Sequence, residues 1–187
     1  MTHQKNSEMK EKFPILVFDT NIFLTGIDIN IIDSVIYTTL GVIEEIKASK
    51  YITQNRNILN KINAAVEQKK LIVSNPTKKF VEKVYEKSKL TGDFKALSIT
   101  DKKLIALALE LAENSDQEVI LYTNDYSIEN ICSELGIPFI PLYKEGIKFQ
   151  IFWEFYCPFC NEIRTYEGLN NICEVCGTQL KRKPKKV

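Results

Sequence analysis

At 187 residues, 44% of them apolar and 26% charged, the chain has the size and balance of one ordinary globular domain with an appendage. No apolar run approaches a membrane span, and residues 1–12 are polar without a signal-peptide core, which excludes a membrane-spanning or secreted reading and makes the cytoplasm the expected location. The formal charge of +1 excludes a chain basic throughout, yet Lys181, Arg182, Lys183, Lys185 and Lys186 form a basic run, the pattern of a solvated tail or a mobile phosphate contact.

Residues 1–12 read as a disordered tail holding the single histidine, His3, a poor candidate for a ligand or a base. Ile15-Leu16-Val17-Phe18 is an apolar run bounded by polar residues, the pattern of a buried parallel strand. It stops at Asp19-Thr20-Asn21, and a helix begins near Ile22. Ser34 to Tyr37 reads as a second strand, with Thr38-Thr39 capping a helix from Leu40 to Ser49 and another helix from Asn55 to Glu67. Leu71-Ile72-Val73 is a third strand. Asn75-Pro76-Thr77 opens a helix to Lys87, and Ser88 to Lys95, containing Thr91-Gly92-Asp93, reads as a flexible loop. Thr100 to Glu113 is apolar on most faces, hence a buried helix. Val119 to Tyr122 is a fourth strand, followed by a helix to Leu135 that Gly136 closes. Ile137 to Ile140, with Pro138 inside it and Pro141 after it, suits a sheet edge. Strict alternation of Ile147, Phe149, Ile151, Trp153 and Phe155 predicts one half-buried connecting strand. Strands alternating with helices predict an α/β/α sandwich around a mostly parallel sheet.

Four acids stand out. Asp19 and Asp125 each follow a buried strand, where open α/β sheets place their ligands. Asp101 opens the buried helix, three residues after Ser98. Of Glu44-Glu45, the helical angle of ~100° per residue puts Glu45 on the flank of the core face and Glu44 toward solvent. Each acid has a plainer reading: Asp19 and Asp125 as helix caps, Ser98 and Asp101 as a capping box, Glu45 as a surface charge. If they converge, their mutual repulsion calls for a divalent cation, and oxygen ligands without histidine favour Mg²⁺ or Mn²⁺.

Five cysteines without a secretion signal point to thiolate ligands rather than disulfides. Cys132 falls with Ile128, Ile131 and Leu135 at helical spacing and belongs in the core. Cys157-Pro158-Phe159-Cys160 and Cys173-Glu174-Val175-Cys176, separated by residues 161–172, form the pattern of one structural, four-thiolate Zn²⁺ site. Each pair needs a left-handed residue after it, and Asn161 and Gly177 supply one. A redox pair is the lesser alternative. Tyr156, Phe159, Arg164 and Tyr166, with Lys181, Arg182 and Lys183, offer rings and cations to RNA, although the rings also suit the ribbon's small core. Lys79, Lys83 and Lys87 make a stripe whose neighbours Glu82 and Glu86 mark it as a solvated face.

The segments Asp19-Thr20-Asn21, Val42-Ile43-Glu44-Glu45-Ile46, Leu97-Ser98-Ile99-Thr100-Asp101 and Thr123-Asn124-Asp125-Tyr126-Ser127-Ile128-Glu129-Asn130 resemble, in order, the acid motifs of PIN-domain ribonucleases. That resemblance implies cleavage of single-stranded RNA with Mg²⁺ or Mn²⁺ held by Asp19, Glu45, Asp101 and Asp125, with Asn21, Ser98 and Thr123 orienting them or the attacking water. Asn124 departs from it, since many relatives carry a second acid there, which implies a second metal bound weakly or only with substrate. A PIN domain followed by a four-cysteine ribbon resembles, over roughly residues 13–183, the compact archaeal form of the Nob-type endoribonucleases. This implies precursor small-subunit rRNA and the nascent small ribosomal subunit as partners, an assembly factor as a further one, and neither a membrane nor a nucleotide cofactor. The expected organisation is a tail at 1–12, a PIN nuclease domain at 13–145, a connecting strand at 146–155, a zinc ribbon at 156–181 and a basic tail at 182–187. Two alternatives stay open: a non-cleaving RNA-binding assembly factor and a toxin-type PIN ribonuclease.

Overall fold

Five short runs of apolar residues pair side by side, and every pairing is parallel. They are β1 (Ile15–Phe18), β2 (Ile36–Thr38), β3 (Leu71–Val73), β4 (Val119–Tyr122) and β5 (Phe139–Ile140), in the order β3-β2-β1-β4-β5. The structure, a computed structural model, describes residues 13–48, 52–143, 145–164 and 171–185, and for 52–55 the backbone alone. The predicted tail at 1–12 and Tyr166 lie outside the described residues. The central strand β1 is buried along its whole length, which is why its sequence is continuously apolar instead of alternating.

The helices fall into two groups by contact. One comprises α1 (Thr20–Leu24), α2 (Leu40–Ala48) and α3 (Ile52–Glu67); the other comprises α4 (Lys78–Thr91), α5 (Ile99–Asn114) and α6 (Tyr126–Leu135). Val17, Ile36 and Leu121 from the sheet share one core with Ile22, Ile46 and Ile62 of the first group and Leu104, Ile105, Ile128 and Ile131 of the second. Cys132 lies in this core, fully buried. Chain order reverses on either side of β1: β2 leaves to one side and β4 lies on the other, which opens a crevice beyond their carboxyl ends. No helix of the described residues is long and apolar enough to cross a membrane.

A second, antiparallel sheet is built from β6 (Trp153–Tyr156), β7 (Ile163–Arg164) and β8 (Lys181–Pro184), in the order β7-β6-β8. Two expectations change here. The alternating run from Ile147 is a strand only from Trp153 on. Before that, the side chains of α6 satisfy its backbone: the Ile147 N–H donates to Glu129 Oε2 at 2.7 Å, and Asn130 takes both the N–H and the C=O of Ile151 at 2.7 Å each. An amide side chain stands in for a neighbouring strand. The basic run, expected to be a solvated tail, is at Lys181–Pro184 the third strand of this sheet.

The predicted flexible loop at Ser88–Lys95 is also different. Ser88 and Thr91 finish α4 and are buried, Gly92 closes the helix in the left-handed region, and Asp93 is buried. Their cover is the second sheet. A Cβ on Gly92 would stand 2.7 Å from that of Trp153, so only glycine admits this approach. Asp93 accepts from the Asn130 amide at 2.6 Å and faces the Arg182 guanidinium at 3.4 Å, which lies 4.4 Å from the centre of the Trp153 ring.

Candidate active site and thiolate metal centre

Asp19 is the first residue beyond β1, and the pairing of Phe18 with Tyr122 puts it beside Thr123, the first residue beyond β4. The Thr123 hydroxyl donates to Asp19 Oδ2 at 2.7 Å, and the Asn21 backbone N–H donates to Oδ1 at 3.2 Å. Asp125 Oδ1 accepts from the Ser127 N–H at the start of α6. At the start of α5, Ser98 Oγ accepts from the Asp101 N–H at 3.1 Å, while Asp101 Oδ2 accepts from the Ser98 N–H at 2.8 Å. The capping readings of all three aspartates are therefore correct. Capping leaves lone pairs on each carboxylate, so it does not exclude a second task.

Asp19 and Asp101 each feel the charge of neighbouring acids. Burial raises the Asp19 carboxyl from 3.8 to about 6 against the pull of Thr123 and Asn21, and the charges of Asp101 and Asp125 push it the same way. Asp101 is raised by burial, with Asp125 and Glu45 adding repulsion. Of the Glu44-Glu45 pair, Glu45 reaches this end of the sheet, where its Oε2 accepts from the Thr20 hydroxyl at 2.7 Å. Thr20 is not marked out by the local sequence, because its partner Glu45 is 25 positions away; Asn21 contributes its backbone N–H. Asn124 Oδ1 accepts from the N–H groups of Leu142 and Tyr143, anchoring the chain beyond β5. Carboxylates so placed suit a hard cation, which would relieve the repulsion that Asp101 and Asp125 exert on Asp19 and that Asp125 and Glu45 exert on Asp101.

The thiols converge more tightly. Cys157, Cys160, Cys173 and Cys176 place their sulfurs within 4.8 Å of one another, the one such group of three or more ligating side chains among the described residues. Sulfur separations of 3.4, 3.5 and 3.8 Å, with no disulfide, lie at or just below the ~3.8 Å edge of a tetrahedron of thiolates around zinc. The two knuckles repeat one hydrogen-bond pattern. Asn161 N–H bonds the carbonyl of Cys157 and Gly177 N–H that of Cys173, at 3.0 and 2.8 Å, with φ of 58° and 73°. The N–H of Cys160 lowers the Cys157 thiol to about 6, and that of Cys176 lowers Cys173, so the first sulfur of each knuckle favours the thiolate.

A family model described as "PIN domain of ribonuclease" matches residues 16–111, a span that holds Asp19, Glu45 and Asp101. The chain belongs to the PIN-domain ribonuclease family. Among curated proteins it is 33% identical to endoribonuclease Nob1 of Methanocaldococcus jannaschii, over 90% of this chain and 77% of that one. It is 30% identical to endoribonuclease Nob1 of Pyrococcus abyssi over 91% and 94% of the two chains. Ribonuclease VapC1 of Thermoplasma acidophilum is 29% identical over 90% of this chain and 77% of its own. The PIN domain is thus homologous to those of archaeal Nob1-type endoribonucleases.

The residues expected on RNA fall into two sets. Phe159 stands exposed on the first knuckle and Lys181 on β8. Arg164 pairs with Glu174, Arg182 with Asp93, and Lys183 with Glu154 at 3.2 Å, so these three cations have partners inside the chain. On α4, Lys83 and Lys87 pair with Glu113 and Glu134, as a solvated face would.

Proposed function

We propose that this chain is a divalent-metal-dependent endoribonuclease that hydrolyses a phosphodiester at the 3′ end of precursor small-subunit rRNA, within the nascent small subunit. The reading rests on one observation above the others: at the crevice beside β1, Asp19 feels the charges of Asp101 and Asp125, and Asp101 those of Asp125 and Glu45. Homology to Nob1 endoribonucleases supports the substrate class. The architecture is an α/β/α sandwich at 13–145 carrying a structural zinc ribbon.

In this reading Asp19, Glu45, Asp101 and Asp125 hold Mg²⁺ or Mn²⁺, which supplies Lewis-acid charge to the phosphate and lowers the pKa of the attacking water. Thr123 fixes Asp19 through Oδ2, so its carboxylate plane does not turn when substrate enters. The Ser98 backbone N–H does the same for Asp101 through Oδ2, and Thr20 ties Glu45 across from α1. Burial of Asp19 keeps bulk water from its inner oxygen, which strengthens its hold on charge. Products carry 5′-phosphate and 3′-hydroxyl ends. The four thiolates hold Zn²⁺, and the ribbon grips RNA flanking the cut.

The test is incubation of the full chain with a precursor spanning the rRNA 3′ end, with and without Mn²⁺. Cleavage is expected in Mn²⁺ and lost at least 100-fold in Asp19→Asn, which keeps shape and removes charge. Unchanged cleavage by that folded variant would overturn the assignment. The match to VapC1 is long enough to reach the cysteine module, so a toxin-type reading is separated by substrate: such an enzyme would cut other RNAs as readily as the precursor.

A further inference from the structure

Beside the first turn of α6 lies a cavity of about 530 Å³, within the range of small-ligand sites. Its lining includes Tyr126, Ser127 and Asn130 of α6 together with Phe149, Trp153 and Arg182. Tyr126 and Ser127 directly follow Asp125 in the chain. The polar groups of its lining are already engaged: Asn130 with Asp93 and Ile151, Asp93 with Arg182. What remains for a ligand is flat apolar surface. Phe149 belongs by alternation to the buried face of its segment, yet its ring is 82% exposed at this cavity, and Tyr126 is half exposed. Lys148 lines the same cavity, its ammonium paired with Glu145 at 2.9 Å. Exposed rings in a cavity lined by the two residues that follow Asp125 fit one component of a single strand: a base turned out of its stack.

We propose that this cavity receives an unpaired nucleobase neighbouring the scissile phosphate, stacked on Phe149 and bounded by Tyr126. The inference rests on the ribonuclease reading for the strand's path, but its test reads binding. RNA strands from the precursor 3′ end, each with one abasic nucleotide at a successive position, are titrated by fluorescence anisotropy onto the full zinc-loaded Asp19→Asn chain in Mn²⁺. At one position the abasic strand is expected to bind about 10-fold more weakly. Phe149→Ala should weaken the intact strand by a similar factor and leave that abasic strand unaffected, while Phe149→Trp restores binding. An equal loss at every position, or a Phe149→Ala effect that persists on the abasic strand, would overturn the proposal. Cleavage of the same strands by the unsubstituted chain separates the two readings. The positional pattern without cleavage defeats the nuclease alone; cleavage without the pattern defeats the pocket alone; no binding at all defeats both.

Discussion

Asp19 carries a cost in the cation-free chain. Its carboxyl binds a proton more tightly folded (about 6) than unfolded (3.8), so the native state holds the extra proton between those values and stability falls as pH rises through that window. Above about pH 6 the penalty is complete, at about 3 kcal/mol. Asp19→Asn is therefore expected to raise the melting temperature of the chelator-treated protein at pH 7.5 and to leave it nearly unchanged at pH 4. Mn²⁺ should then stabilise the unsubstituted chain more than the variant, as a thermal-shift titration would report. An equal Mn²⁺ shift in both would mean that the cation binds elsewhere. The same residue was legible in the sequence because a carboxylate ending an apolar run is a local pattern. Thr20 was not, since its partner Glu45 is 25 residues away.

Among the elements, the knuckles show what local sequence specifies well. Positive φ at Asn161 and Gly177 follows from the residue types that tolerate it, and both positions were readable beforehand. The ribbon's sheet was less so: β8 is a lysine-rich segment whose strand character comes from pairing with β6 and from Arg182 covering Trp153, neither of which composition reveals. In the zinc-ribbon reading proposed above, a sheet this small depends on its metal. Stripping Zn²⁺ with a chelator is expected to abolish the dispersed amide signals of β6, β7 and β8 in a two-dimensional NMR spectrum. Those of β1 and β4 should persist, because their core contains none of the four cysteines. Loss of both sets together would show that the two sheets fold as one unit.

Across the whole molecule, the joint between the sheets is the part that sequence reading missed. Thr91-Gly92-Asp93 has the composition of an exposed turn, but it is buried by Trp153 and Arg182, and Asp93 and Arg182 are 89 positions apart. Long-range burial of a turn leaves no local periodicity to detect. Gly92→Ala would force a Cβ to within 2.7 Å of that of Trp153 at a φ of 81°, where alanine is strained as well. We expect a loss of about 2 kcal/mol in urea unfolding and faster proteolysis between Pro141 and Phe152, with no change in zinc stoichiometry. Asn130→Ala should do likewise, since it leaves the N–H and C=O of Ile151 and one oxygen of Asp93 without their partner.

The internal pairing of Arg182 and Lys183 bears on how the chain responds to ionic strength. A cation already neutralised by Asp93 or Glu154 displaces few counterions when a polyanion arrives, and each phosphate contact on a single strand contributes about 0.7 to the slope of log affinity against log salt. The slope for RNA should therefore be shallower, by about one, than the basic run at 181–186 would give if all its charges met phosphate. Freeing Lys183 with Glu154→Gln should steepen it, measured between 50 and 200 mM KCl, the range over which counterion release dominates. Part of what looks like a magnet for nucleic acid is spent fastening the protein to itself.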